Sequence, residues 1–124
     1  MTIRLPLLNF LLLSLLLIAC GKPLPELNNI DLVRWKSDPN GCAGVRIQMT
    51  SSLQSEKKKM LGLNEMEIVD LLGKPDQQEL YKRNQKFYRY YLQPGPHCST
   101  PDSSAKKLVV RFNAVGLAKE INIE

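Results

Sequence analysis

Asn64-Glu65-Met66-Glu67 opens the one stretch of this chain whose beginning and end are both set by local chemistry. Asparagine can accept from the free N–H groups of a first helical turn, and a glutamate three residues on can return the bond. Ile68, Val69, Leu71 and Leu72 follow, then Gly73 to end the helix and Pro75 to stop it. This predicts a short helix, apolar enough to need cover. Beyond Pro75 the apolar spacing changes from helical to alternating. Gln78 to Lys82 and Lys86 to Gln93 read as the arms of a hairpin about Arg83-Asn84-Gln85. Along the second arm Tyr88, Tyr90 and Leu92 point one way, and Phe87, Arg89 and Tyr91 the other. Lys107 to Asn113 alternates in the same manner. Asn113 to Gly116 turns the chain, and Leu117, Ile121 and Ile123 supply the inward face of a last strand.

The residues before Asn64 read as helical. Asn28 or Asn29 is placed to cap a short helix through Ile30 to Lys36, with Leu32, Val33 and Trp35 as its apolar material. Asp38-Pro39-Asn40-Gly41 is a turn, because proline fixes φ and glycine accepts positive φ. Val45, Met49, Leu53 and Met60 recur at near-helical spacing, although Thr50-Ser51-Ser52 is a weak helical stretch. Lys57-Lys58-Lys59 either contacts phospholipid or is a solvated helix end favoured by the helix dipole. Helices first and strands afterwards predict an α+β domain, its short N-terminal helices packed on one face of a three- to four-stranded antiparallel meander.

At the other end of the chain, Phe10 to Ala19 is apolar apart from Ser14, and Arg4 precedes it. The run is too short for a hydrocarbon core of about 30 Å, but it has the layout of a secretory signal. Leu17-Ile18-Ala19-Cys20 resembles a bacterial lipobox, which implies cleavage before Cys20 and acylation of that cysteine. The expected organisation is a signal peptide over 1–19, a lipidated tether over 20–29 and a single domain over 30–124. Gly21 follows the cysteine where an aspartate would favour the inner membrane, so the sorting rule points to the outer membrane, facing the periplasm. Removal of 1–19 takes away Arg4 and lowers the formal net charge from +5 to about +4, a mild excess that favours anionic lipid headgroups or acidic partner surfaces. An exported domain does not meet nucleic acid, so that partner is not expected.

Three cysteines divide cleanly if Cys20 carries lipid, leaving Cys42 and Cys98 in an oxidising compartment where disulfides persist. A bridge between them would stabilise the fold by about 4 kcal/mol in the chain-entropy model. A redox or metal role is the alternative, without C-x-x-C spacing to support it.

Gly62-Leu63-Asn64, Ile68 and Leu72-Gly73-Lys74-Pro75 together are similar to the signature of the SmpA/OmlA lipoproteins, the BamE-like subunits of the outer-membrane β-barrel assembly machine. Phe87-Tyr88-Arg89-Tyr90-Tyr91, Val109-Val110-Arg111-Phe112-Asn113 and Gly116-Leu117 follow that family's order, downstream of a lipobox. The resemblance covers roughly Gly62 to Ile123 and the anchor. It implies a helix-plus-meander fold, a non-catalytic accessory role, and the barrel-assembly subunits and phosphatidylglycerol as partners. Asn64 stands where the family has a hydroxyl cap, and Trp35 to Arg46 has no counterpart in the pattern, as expected of a divergent member. That added segment supports an alternative: a periplasmic ligand- or inhibitor-type binding lipoprotein on the same scaffold, unrelated to barrel assembly.

Catalytic chemistry finds little footing. His97 is the single histidine and lies beside Cys98, where a loop residue next to a bridged cysteine explains it as well as a Cys–His nucleophile does. No phosphate-binding glycine loop or nucleophile elbow occurs, and scattered carboxylates give no metal pattern. An enzyme, a metal site and a cofactor are therefore not expected. The expected binding surface is the aromatic and basic strand, with Arg83, Tyr88, Arg89 and Tyr90 as partner-binding residues and Trp35 from the added segment; Phe87 and Tyr91 are the outward pair if the strand is turned over.

Overall fold

The computed structural model describes residues 23–124; the signal segment 1–19 and the acylation site Cys20 lie outside the described residues. Three short α-helices, α1 (Leu32–Lys36), α2 (Thr50–Glu56) and α3 (Glu65–Leu72), precede the strands β1 (Gln77–Tyr81), β2 (Gln85–Tyr91), β3 (Lys107–Phe112) and β4 (Ala118–Ile123). The strands form one antiparallel sheet in sequential order. The molecule is the α+β meander that the change of periodicity predicts.

Helix α3 is built as its sequence directs. Asn64 Oδ1 accepts from Glu67 N at 2.8 Å, Glu67 Oε1 accepts from Asn64 N at 3.1 Å, and Gly73 closes the helix at φ 85°. Ile68, Leu71 and Leu72 face inward. Helix α1 is shorter than expected and takes a different cap. Asn29 adopts a left-handed turn at φ 59°, and the Asp31 carboxylate accepts instead from Val33 N and Arg34 N. Val33 thereby points to solvent rather than into the core. The stretch around α2 is not one continuous helix. Tight 3₁₀ turns at Arg46–Met49 and Lys57–Met60 flank it, yet Met49, Leu53 and Met60 all reach the core.

The core lies between the helices and one face of the sheet. Tyr88, Tyr90 and Leu92 meet Leu108, Val110, Phe112 and Ile121 under Trp35, Leu53, Met60, Ile68 and Leu72. Leu24 and Leu27, within the stretch read as tether, pack against the same cluster. The last strand differs from its simple alternation. A bulge between Arg111 and Phe112 pairs Phe112 with Ala118 and moves the inward position by one residue. Leu117 therefore lies outside the core, in an isolated bridge to Asn64.

Candidate interaction surface

The two faces of β2 settle which aromatic side chains are offered to solvent. Tyr88 and Tyr90, expected among the partner-binding residues, point inward, and Trp35 joins them; all three are at most 5 % exposed. Their polar atoms explain the choice. The last carbonyls of a helix have no intrahelical partners, and at the end of α3 the Trp35 indole N–H donates to Leu72 O at 2.9 Å. The Tyr90 hydroxyl donates to Gly73 O at 2.8 Å, and Lys36 Nζ donates to Asp70 O at 3.1 Å. At the other end of α3 the Tyr88 hydroxyl donates to Glu65 Oε1 at 3.0 Å. Burial first, then this hydrogen bond and the nearby carboxylate charge, push the Tyr88 phenol up to about 12; burial also raises Tyr90.

The opposite face carries Phe87, Arg89 and Tyr91 from β2, with Glu79 and Tyr81 from β1 and Lys107, Val109 and Arg111 from β3 across the register. Arg89 Nη2 meets Glu79 Oε2 at 2.7 Å, and its guanidinium lies 5.6 Å from the Phe87 ring centre. The Tyr81 ring stands edge-on to Phe87, with centroids 5.8 Å apart. Arg111 Nε donates to Glu120 Oε2 at 3.0 Å, and the hydrogen bond from Asn122 followed by that from Arg111 lowers the Glu120 pKa. The core cluster draws on the other face of the sheet; on this one Tyr91 and Val109 are buried, and Phe87, Arg89 and Arg111 remain partly exposed. Aromatic and arginine side chains are the types that dominate interface hot spots. Arg83, at the exposed hairpin tip with φ 60°, continues the basic character beyond Arg89. Of the expected partner-binding residues, Arg83 and Arg89 are on the surface, and Phe87 takes the outward place beside them.

One end of this face is walled by the loop between β2 and β3. Tyr91, Lys107, Pro96, Pro101, Asp102 and Ala105 line an open recess of about 350 Å³. Two anchors hold the loop. Gly95 N donates to Asn40 O at 2.9 Å, and Cys42 and Cys98 lie at disulfide distance with their Cα atoms 5.5 Å apart. Gly41 passes so close to the carbonyls of Tyr91 and Gln93 that a Cβ there would stand 2.6 Å from Gln93 O.

A buried ionic brace underlies this end and was not visible in the sequence. Asp38 accepts from Ala43 N, Val45 N and Arg46 N, closing the turn that carries Cys42. Arg46, 2 % exposed, donates from Nε to Trp35 O at 2.9 Å and from Nη1 to Asp76 Oδ2 at 2.8 Å, with its guanidinium 4.6 Å from the Trp35 ring centre. Asp76 also accepts from Asn40 N and Tyr91 N. The segment Trp35 to Arg46, read as an added surface, thus buries Trp35, Asp38, Gly41 and Arg46 in an internal brace and keeps Lys36, Ser37, Pro39, Cys42 and Ala43 exposed. His97 is exposed and lines a shallow cleft with Asn40, Lys74 and Asp76.

Among the described residues there is no group of three or more histidine, cysteine or acidic side chains able to hold a metal ion. No helix among them is long and apolar enough to cross a membrane. No protein-family model, curated protein or solved structure matches the chain.

Proposed function

We propose that this protein is a non-catalytic outer-membrane lipoprotein, anchored through acylated Cys20 and facing the periplasm, that serves as an accessory subunit of β-barrel protein assembly. The observation that carries the reading is the lipobox at Leu17 to Cys20 upstream of the Gly62–Pro75 cassette and its meander. Two acyl-type attachments give stable membrane residence because each buried methylene contributes about 0.8 kcal/mol. The domain then acts by docking: the partly exposed Phe87, Arg89 and Arg111 of the outer sheet face suit a protein partner, and the anchor holds it at the membrane surface. A binding lipoprotein unrelated to barrel assembly is the second reading. It rests on the Trp35 to Arg46 segment, in which Trp35 is buried while Lys36, Ser37, Pro39, Cys42 and Ala43 are exposed.

The test is purification of the acylated protein in mild detergent with identification of its companions by mass spectrometry, beside a Cys20→Ala control. Recovery of barrel-assembly subunits, reduced in the control and in a Phe87→Ala/Arg89→Glu variant, is the expected result. Recovery of a single unrelated partner from well-folded protein would replace this reading with the second one.

A further inference from the structure

Asn40 is the only asparagine of the chain that glycine follows. The structure assigns to Asn40-Gly41 a covalent modification, loss of the side-chain amide through a cyclic imide, which the Cys42–Cys98 bridge holds off. The chemistry is internal. The Gly41 backbone nitrogen attacks Asn40 Cγ and the new N–Cγ bond closes a five-membered ring. The Cγ–Nδ2 bond breaks, and ammonia leaves with the proton of the Gly41 amide. Water then opens the imide at one carbonyl or the other, giving aspartate or isoaspartate. Glycine favours the attack because no Cβ blocks the approach to its nitrogen and its φ is unrestricted.

In the folded turn the groups that must move are held. Asn40 sits at φ 62° and ψ 9°, which turns the Gly41 nitrogen away from the Asn40 side chain. Attack on Cγ needs a large rotation about the Asn40 Cα–C bond. That rotation breaks the hydrogen bond from Gly41 N to Asp38 O at 3.1 Å on one side of the peptide and that from Gly95 N to Asn40 O at 2.9 Å on the other. Asn40 N is fixed to Asp76 Oδ1 at 3.0 Å, and Gly41 is wedged against the carbonyls of Tyr91 and Gln93. Attack also builds negative charge on Asn40 Oδ1, which is buried with no hydrogen-bond partner among the described residues to stabilise it. Gly95 belongs to the loop between β2 and β3, and the bridge from Cys98 to Cys42, two positions past Asn40, ties that loop to the turn. Without the bridge the loop lifts, and conversion proceeds in proportion to the open population. Isoaspartate lengthens the main chain by one carbon just before Gly41, where the Tyr91 and Gln93 carbonyls leave no room for a shift. A chain that waits without its bridge is thereby marked and barred from closing the turn.

The test incubates the full-length protein in detergent micelles and mildly alkaline buffer made with heavy-oxygen water. Position 40 is followed by peptide mass mapping, beside a free peptide of residues 37–44. Bridged wild type should convert at least about tenfold more slowly than the peptide, because only its open fraction reacts. Cys42→Ser/Cys98→Ser, shown to be folded by amide protection along α3 and β3, should convert at a rate approaching the peptide's. Wild type as fast as the peptide, or a folded double variant as slow as wild type, would overturn the gate. If the variant does not fold, bridged wild type in graded urea replaces it. Conversion should then rise toward the peptide's rate as the turn opens, and a rate that urea leaves unchanged would overturn the proposal. After reduction and reoxidation the converted fraction should stay unbridged while the unconverted one regains Cys42–Cys98; equal bridging of the two would overturn the marking.

Discussion

Asp76 receives three hydrogen bonds from two parts of the chain that are far apart in sequence: Asn40 N and Arg46 Nη1 from the 38–46 turn, and Tyr91 N from β2. Without it Asn40 N and Tyr91 N would lose their acceptor, and Arg46 would be a charge enclosed by the Trp35 ring and the carbonyls of Trp35 and Tyr91 without the Asp76 carboxylate. Breaking a buried pair from one side costs about 3–5 kcal/mol, whereas exchanging both partners for apolar groups costs far less. Asp76→Ala is therefore expected to lower the unfolding free energy by an amount in that range. Arg46→Met/Asp76→Leu should lose less than the sum of its single changes, measured by urea unfolding. None of this was legible beforehand. Arg46 and Asp76 are 30 positions apart and belong to no motif, and only the proline and glycine of the 38–41 turn marked the place where the brace would form.

At the scale of elements, legibility follows how local the deciding interactions are. Helix α3 was readable from end to end because its cap, its return bond and its left-handed glycine lie within ten residues or so of one another. The hairpin turn was readable to within a residue for the same reason, Lys82–Asn84 standing where Arg83 to Gln85 was expected. The facing of β2 was not, since Tyr88 with Tyr90 and Phe87 with Tyr91 are equally aromatic pairs. What decides it is the need of α3 for donors at its C-terminal carbonyls, which Tyr90 and Trp35 meet from other elements. The bulge opposite Phe112 left no mark in the sequence at all. The inward facing has a titration consequence. A phenol with a folded-state value above its unfolded one, ordinarily about 10, holds its proton more tightly when folded. The stability from Tyr88 is thus complete below pH 10 or so and lost as pH rises through about 12; Tyr90 shifts in the same direction. Ultraviolet titration of the native protein should show Tyr88 and Tyr90 ionising only above the normal range, with urea stability falling over the same interval. Normal ionisation of both in folded protein would place Tyr88 and Tyr90 outside the core.

At the scale of the molecule, the helical half and the sheet are joined in two unlike ways. The apolar layer between α3 and the inner sheet face is broad, and the alternation of the sequence anticipated it. The other junction is small and polar, where the 38–46 turn, carrying Cys42, meets the loop between β2 and β3, carrying Cys98. That loop has few backbone anchors, Gly95 N to Asn40 O and Asp102 N to Pro94 O among them, and no apolar side chain of it enters the core. The bridge spans 56 positions, so in the chain-entropy model it restrains the unfolded chain by about 4 kcal/mol. Its loss should therefore act unevenly. In Cys42→Ser/Cys98→Ser, global stability should fall by about that amount. In native-state amide exchange, Gly95, Cys98→Ser and Asp102 should lose protection well before α3, β2 and β3. The recess beside Tyr91 would then open without unfolding the aromatic face, because Phe87, Arg89 and Arg111 are held by ladder bonds that the bridge does not touch. Uniform loss of protection across loop and sheet would instead mean that the polar junction and the core unfold as one unit.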